Sequence, residues 1–390
     1  TAHDDGTDRD DGTDRDADRP PHTARIGSFL ARDGSAGAAV GVDLDRPHAG
    51  VVFGKRGTGK SYTLGVLAEE LAAADGVAPV VVDPMGVFGG LEAAGGRVVD
   101  PAVRPASIPP SAWPQLLGLD PASGPGSLVW RVVADAVDGG SGDAADCDSA
   151  GGTSSSPSIA ALRETVAAAD APRETRRAAA NHLRLATSWG VFDADAPPVA
   201  SLAADGAPAV IDLAGVPDAA AAAVVRAVAR GLYDARIAGG GEARSASGSR
   251  ATSDGLSRLP WLLVDEAHAF FDGVAESALR TLLTRGGGAP GVSLVCATQR
   301  PAALPSVAVS QSDLLVSHRL TAARDVDRLA EAEATYLAGD LAARLPDGVG
   351  EALVVDDATE TAHTVRIRER RTPHEGESPR ASRLSDAESQ

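Results

Sequence analysis

Eight residues constrain this chain more than any others: Gly54-Lys55-Arg56-Gly57-Thr58-Gly59-Lys60-Ser61. They fit the spacing G-x-x-x-x-G-K-[ST] at every position. The run Ala49-Gly50-Val51-Val52-Phe53 before them reads as a short apolar strand. After them, Leu64, Leu67, Ala68 and Leu71 fall at helical spacing. Strand, glycine loop and helix form the setting in which backbone N–H groups turn inward around phosphate oxygens, aided by the helix N-terminus. The spacing lets Lys60 reach the outer phosphates of a nucleotide and Ser61 place its hydroxyl on Mg²⁺. Gly54 through Ser61, with Tyr62 just after them, are the candidate nucleotide-binding residues. The bland alternative is a glycine turn with a chance lysine. Composition weighs against it, because lysine occurs only at Lys55 and Lys60, and every other basic side chain is arginine or histidine.

A second stretch makes the first more specific. Leu259-Pro260-Trp261-Leu262-Leu263-Val264 is an apolar strand that ends in Asp265-Glu266. Asp265 is placed to complete the Mg²⁺ shell with Ser61, and Glu266 to orient and deprotonate an attacking water. A third strand, 292–297, runs into Thr298-Gln299-Arg300-Pro301, where the Gln299 amide can sense the terminal phosphate. A fourth, Pro79-Val80-Val81-Val82-Asp83, also ends in a carboxylate, which either faces the nucleotide or caps a turn.

These strands alternate with helical stretches, which predicts an α/β fold: a mainly parallel sheet flanked by helices. At 390 residues the chain is long enough for one large domain or two ordinary ones. Residues 1–25, dominated by Asp, Gly, Thr and Arg, read as a disordered acidic arm, and 371–390 as a disordered polar tail. Short strands are expected over 26–49 and a proline-rich extended connection over 101–125. A helical insertion is expected at about 128–190. It is interrupted by a flexible Gly/Ser-rich loop at 139–157, and a second such loop spans 239–257. Two helical segments are expected at about 324–344. Arg173, Arg176 and Arg177 share one helical face and form the densest basic patch; this is either a solvated face or a nucleic-acid contact.

Composition narrows the classes further. Net charge is −18, with 54 acidic against 36 basic side chains. The acidic balance, the preference for arginine and the small apolar residues resemble a halophilic protein. Two cysteines give no disulfide framework, and the histidines do not pair at zinc-ligand spacing. Cys296 lies in an apolar run and reads as a buried small residue. No stretch approaches the ~18 apolar residues of a membrane span, so no membrane association and a cytoplasmic location are expected.

Together, residues 54–61, 261–268, 297–301 and 310–320 resemble the HerA/FtsK superfamily of P-loop motor ATPases, and the archaeal, haloarchaeal-type HerA-like branch most closely. The resemblance covers about 26–370. It implies a RecA-like core, ATP and Mg²⁺ as ligands, and a homo-hexameric ring that translocates or unwinds double-stranded DNA, working with a nuclease partner. It implies a Walker A role for Lys60 and Ser61, a Walker B role for Asp265 and Glu266, and a sensor role for Gln299. The sequence departs from the family pattern in three places. Val87 stands where the family turn carries a glutamate. Gly287 and Gly288 fill the region of a family arginine, leaving Arg285 as the nearest candidate for a finger acting across subunits, with Arg300 and Arg319 as alternatives. The family's N-terminal β-barrel is absent or reduced. The departures keep two other readings open: a slow nucleotide-gated regulatory or scaffold ATPase that moves no DNA, and a conjugation-type or protein-handling ATPase.

Overall fold

Apolar runs with no polar alternation, such as Val51-Val52-Phe53 and Val80-Val81-Val82, must be covered on both faces. The computed structural model covers them in that way. It describes residues 22–31, 33–139, 156–242, 255–322, 324–326, 344–356 and 361–374. The acidic arm up to residue 21, most of the two expected loops, most of the 324–344 helical region and the tail beyond 374 lie outside the described residues.

In chain order the elements are β1 (Thr23–Leu30), β2 (Ala36–Asp43), β3 (Ala49–Phe53), α1 (Lys60–Ala72), β4 (Val77–Asp83), β5 (Arg97–Val99), α2 (Trp113–Leu116), α3 (Gly124–Gly139), α4 (Ile159–Ala168), α5 (Arg173–Ser188), β6 (Ala209–Asp212), α6 (Asp218–Glu242), β7 (Leu259–Val264), α7 (Glu276–Thr281), β8 (Ser293–Thr298), α8 (Ser306–Ser310), β9 (Leu314–Ser317), β10 (Glu351–Asp356) and β11 (Thr361–Ile367). One 11-stranded sheet takes the order β2-β1-β11-β10-β9-β3-β8-β7-β4-β6-β5. The strands from β9 to β5 are parallel. The other four extend the sheet in antiparallel fashion. The short strands expected over 26–49 are thus β1 and β2, starting at Thr23; β1 pairs with β11 on one side and with the edge strand β2 on the other.

Period-two alternation sorts the strand side chains between two cores. Val51, Phe53, Val80, Val82, Leu262, Val264, Leu294 and Cys296 face the core shared with α2–α6. Val52, Val81, Trp261, Leu263, Val295 and Ala297 face the core covered by Leu64, Leu67 and Leu71 of α1. Cys296 is buried, and burial pushes its thiol up to about 12, so it is an inert core residue.

Several local expectations are corrected. The 101–125 connection is not simply extended: it makes two short 3₁₀ turns and α2, which buries Trp113. Within the expected helical insertion, the segment after the Gly/Ser-rich loop is broken into α4 and α5 ahead of Pro172. Helix α7 leaves α geometry after Thr281 for a π turn, Leu282–Gly286. Arg176 does not share an open basic face with Arg173 and Arg177. Its guanidinium donates to the Ala167 carbonyl, 3.1 Å away, at the end of α4. Arg173 and Arg177 are exposed. No helix among the described residues is long and apolar enough to cross a membrane.

The largest correction concerns the start of the expected tail. Residues 368–374 form a strap across α1, the helix that begins in the phosphate loop. Two consecutive α1 carboxylates, Glu69 and Glu70, are 4% and 2% exposed. Arg368 Nη1 lies 2.8 Å from Glu69 Oε2 and its Nη2 2.8 Å from Glu70 Oε1. Glu69 Oε1 accepts from Arg371 N, Thr372 N and Thr372 Oγ1. Arg371 also pairs with Glu70. The Arg370 guanidinium is nearly fully buried and fills the space left by Gly65, where a Cβ would stand 2.5 Å from Cζ. Burial alone would raise the Glu69 carboxyl, but the bonds from Thr372, Arg371 and Arg368 hold it below its ordinary 4.5. A group of that kind stabilises the fold above the unfolded value and loses its contribution as pH falls through the folded one. Glu69→Gln is expected to cost about 3 kcal/mol at pH 7 in urea denaturation, by removing one of the two buried carboxylates that offset the Arg368 charge. The cost should shrink as pH falls below about 4.5, where the unfolded wild-type chain takes up a proton at Glu69, and be gone once the folded carboxyl is protonated at its lower value.

Candidate active site

All parallel strands point their carboxyl ends the same way, so the ends of β3, β7 and β8 meet at one edge. The phosphate loop leaves β3 there. Gly57 and Gly59 take left-handed φ of 77° and 116°. A Cβ on Gly54 would stand 2.5 Å from Thr58 Oγ1 and 2.7 Å from His318 Cβ, so the loop tolerates only glycine at that point. Within the loop, Thr58 Oγ1 and Lys60 Nζ both donate to the Lys55 carbonyl, at 2.8 and 3.2 Å. Lys60 is buried, and burial lowers its ammonium against the raising pull of Glu266 and Asp265.

The acid pair closes the other side. Ser61 Oγ donates to Asp265 Oδ2 at 2.7 Å, although the two residues stand 204 positions apart. A hydroxyl and a carboxylate in contact are hard oxygen donors that suit Mg²⁺, and the glycine cradle beside Lys60 suits its phosphate partners. Burial pushes the Asp265 carboxyl up, against the bonds it accepts from Ser61 and the Glu266 N–H. Glu266 adopts φ 46°, ψ 37°, a left-handed conformation that costs a non-glycine residue strain. Burial also raises its carboxyl; Lys60, the Gln299 amide, Arg56 and Arg300 pull the other way. Gln299 therefore faces Glu266, and Arg56 and Arg300 bring positive charge to the same carboxylate. These three chain regions, the phosphate loop, 265–266 and 299–300, form one acid, base and cation cluster.

Other sequence-singled residues fall elsewhere. Arg285 is exposed on the π turn ahead of β8, and the Gly286 carbonyl after it accepts from Val292 N. That is the end of β8 opposite Gln299, so Arg285 does not join the site of its own chain. Tyr62 turns to the strap: its hydroxyl accepts from Arg370 N at 2.6 Å and its ring meets His374 edge-on. Asp83 caps its own turn, accepting from Met85 N and Phe88 N. The Arg319 side chain is exposed, while its carbonyl accepts from Lys55 N at the loop's start.

His318 has a role that its motif did not reveal. Fully buried beneath the phosphate loop, it pairs through Nε2 with Thr63 Oγ1 at 2.9 Å and through Nδ1 with the Glu351 carbonyl at 2.8 Å. A carbonyl only accepts, so Nδ1 carries the proton and Nε2 accepts from Thr63. Its position in an otherwise apolar strand end was the only signal available in sequence.

A parallel sheet with a phosphate loop after β3 and an acid pair after β7, with β8 between the two strands, defines a RecA-like P-loop NTPase. More particularly, the chain belongs to the family described as helicase HerA, central domain, which matches residues 24–232, more than half of the chain. Among solved structures it is similar to VirB4 of Thermoanaerobacter pseudethanolicus, with TM-score 0.63 and 17% identity over 90% of this chain and 97% of that one. The bacterial conjugative coupling protein TrwB, in a form with sulphate, matches with TM-score 0.56 and 17% identity over 91% and 97% of the two chains. The plasmid coupling protein TrwB with ADP and Mg²⁺ matches with TM-score 0.55 and 16% identity over 90% and 95%. No curated protein matches the chain by sequence.

Burial pushes His318 down to about 4, so the folded protein keeps it neutral while an unfolded chain protonates it near 6.5. Stability from this residue is therefore complete above about pH 6.5 and falls as pH drops toward 4. A His318→Gln variant cannot take up that proton. Its urea midpoint should lie below wild type at pH 7, with the gap closing between those two pH values.

Proposed function

We propose that this chain is an ATP-hydrolysing motor subunit that uses Mg²⁺-ATP turnover to translocate or unwind double-stranded DNA, as part of a homo-hexameric ring. The observation that carries the hydrolytic part is the Ser61–Asp265 contact with Glu266 and Gln299 beside it. Lys60 and the loop N–H groups grip the phosphates, and Ser61 and Asp265 hold the metal, which supplies charge neutralisation at the phosphates when bound. Glu266 takes a proton from the attacking water as the water oxygen bonds to the terminal phosphorus and the bond from that phosphorus to the bridging oxygen breaks, releasing ADP. Gln299 orients that water, and Lys60, Arg56 and Arg300 offset the charge that builds up.

The DNA part rests on family membership and on the names of the structural relatives, a helicase central domain and conjugative coupling proteins. Arg173 and Arg177 on the exposed face of α5 are the candidate duplex contacts. A nuclease partner, a cytoplasmic location and a salt-adapted surface complete this reading. The regulatory alternative, a slow ATPase without translocation, is favoured by Val87 in the turn after β4 and by the placement of Arg285 away from its own chain's site. Arg285 serves the motor reading only if a neighbouring subunit receives it.

The test is ATP turnover of the full chain in molar KCl, with and without linear duplex. Lys60→Ala should abolish turnover. Glu266→Gln should still bind ATP while turnover falls by about 10²- to 10⁴-fold. A several-fold rise with duplex supports the motor; indifference to duplex, with the Lys60 dependence intact, favours the regulator.

A further inference from the structure

Glu266 is held unusually for a residue at the end of a strand. Apart from His22, it is the only non-glycine residue with positive φ among those described. One of its oxygens, Oε2, is buried with no hydrogen-bond partner. That oxygen lies 3.3 Å from Nδ1 of His268, close enough for contact but not aligned as a hydrogen bond. His268 Nδ1 in turn lies 3.1 Å from the hydroxyl of Thr298, the last residue of β8 and fully buried. The same hydroxyl accepts the backbone N–H of Arg300 at 2.9 Å.

The Thr298 hydroxyl has one proton and two lone pairs, so while it accepts from Arg300 N it can still bond His268 Nδ1 in either tautomer of the ring, and it holds that imidazole edge in place. Burial, with the nearby Arg300 and Lys60 charges, lowers His268 and keeps it neutral, against the pull of Asp265. The imidazole edge stands against Oε2 and limits where that oxygen can go; with Nδ1 bare it can receive an O–H there once Glu266 has taken a proton.

From this geometry we infer that His268, fixed by the Thr298 hydroxyl, is a positioning residue for the Glu266 base. It joins the acid pair at the end of β7 to the sensor at the end of β8. A histidine that merely capped its own turn would need neither a buried threonine hydroxyl from another strand nor an unpartnered carboxylate oxygen beside it. The inference deepens the hydrolytic reading above and rests on it.

The test uses the full chain, with steady-state ATP turnover and separate binding of a fluorescent ATP analogue. His268→Ala and Thr298→Val should lower kcat by roughly 10- to 100-fold, since a displaced base loses its alignment. KM and analogue affinity should stay within about twofold of wild type. Thr298→Ser keeps the hydroxyl, and His268→Asn keeps an acceptor near the Nδ1 position, so both should retain most of kcat. Unchanged kcat in His268→Ala and Thr298→Val overturns the inference. So does an equal loss of kcat and affinity, or a loss that serine and asparagine do not rescue. If Thr298→Val fails to fold, the comparison of His268→Ala with His268→Asn decides alone. Lys60→Ala separates the two levels: turnover that does not depend on Lys60 overturns the hydrolytic reading and this inference together. Lys60-dependent turnover that ignores His268 and Thr298 overturns only this inference.

Discussion

The 2.7 Å bond from the Ser61 hydroxyl to Asp265 is the contact on which the rest of the site depends. Its partners leave β3 and β7, which are not neighbours, because β8 lies between them. The bond forms only if all three strands stop at compatible heights. Register supplies that: Phe53 pairs with Thr298 and Val264 with Cys296, so the strand ends line one rim. A one-residue slip of β8 would turn Cys296 and Leu294 out of one core and Val295 out of the other, so both hydrophobic layers enforce the alignment that the polar contact needs. Asp265 is 1% exposed, and a carboxylate so buried must be paired. Apolar packing brings the rim together, and the buried acid then requires its partners there.

The loop is also braced from the other half of the molecule. His318 links Thr63 of α1 to the Glu351 carbonyl at the start of β10, and Gly350 N donates to the Thr58 carbonyl. The strap at 368–374 neutralises Glu69 and Glu70 on the same helix. A helix that begins in a phosphate cradle is thereby tied at its first turn by β10 and at its last turns by arginines some 300 residues away in sequence. Displacing the strap leaves two adjacent carboxylates buried without counter-charges, so α1 and the strap are coupled more firmly than surface ion pairs would allow.

What the sequence discloses follows from how local each signal is. β3, β4, β7 and β8 are continuous apolar runs because both faces are buried, and their terminal carboxylates and amide stand out against that background. The glycine loop is legible because backbone geometry dictates residue type at Gly54, Gly57 and Gly59. The strap is not legible: Arg368, Arg370, Arg371 and Thr372 have the composition of a solvated tail, and only the buried Glu69 and Glu70 give it a place. Helical spacing put Arg176 beside Arg173 and Arg177, but a break at Pro172 gave its guanidinium the carbonyls of α4. The positions of Arg285, at the wrong end of β8, and of Tyr62, under the strap, depend on tertiary routing that no local pattern encodes.

Charge sets different terms for the two anions in the proposed function. The chain carries −18 overall, yet Lys60, Arg56 and Arg300 converge on Glu266. A nucleotide fits inside that small positive region, within about one screening length of ~8–10 Å at ordinary salt. A duplex spans far more surface and meets the acidic remainder. Raising salt weakens that repulsion and equally weakens any gain from phosphate contacts, since such gains come from counterion release. Two exposed arginines on α5 supply little affinity on those terms. A subunit of this kind would hold duplex by enclosing it, with the arginines setting position inside a ring, and not by a broad basic face.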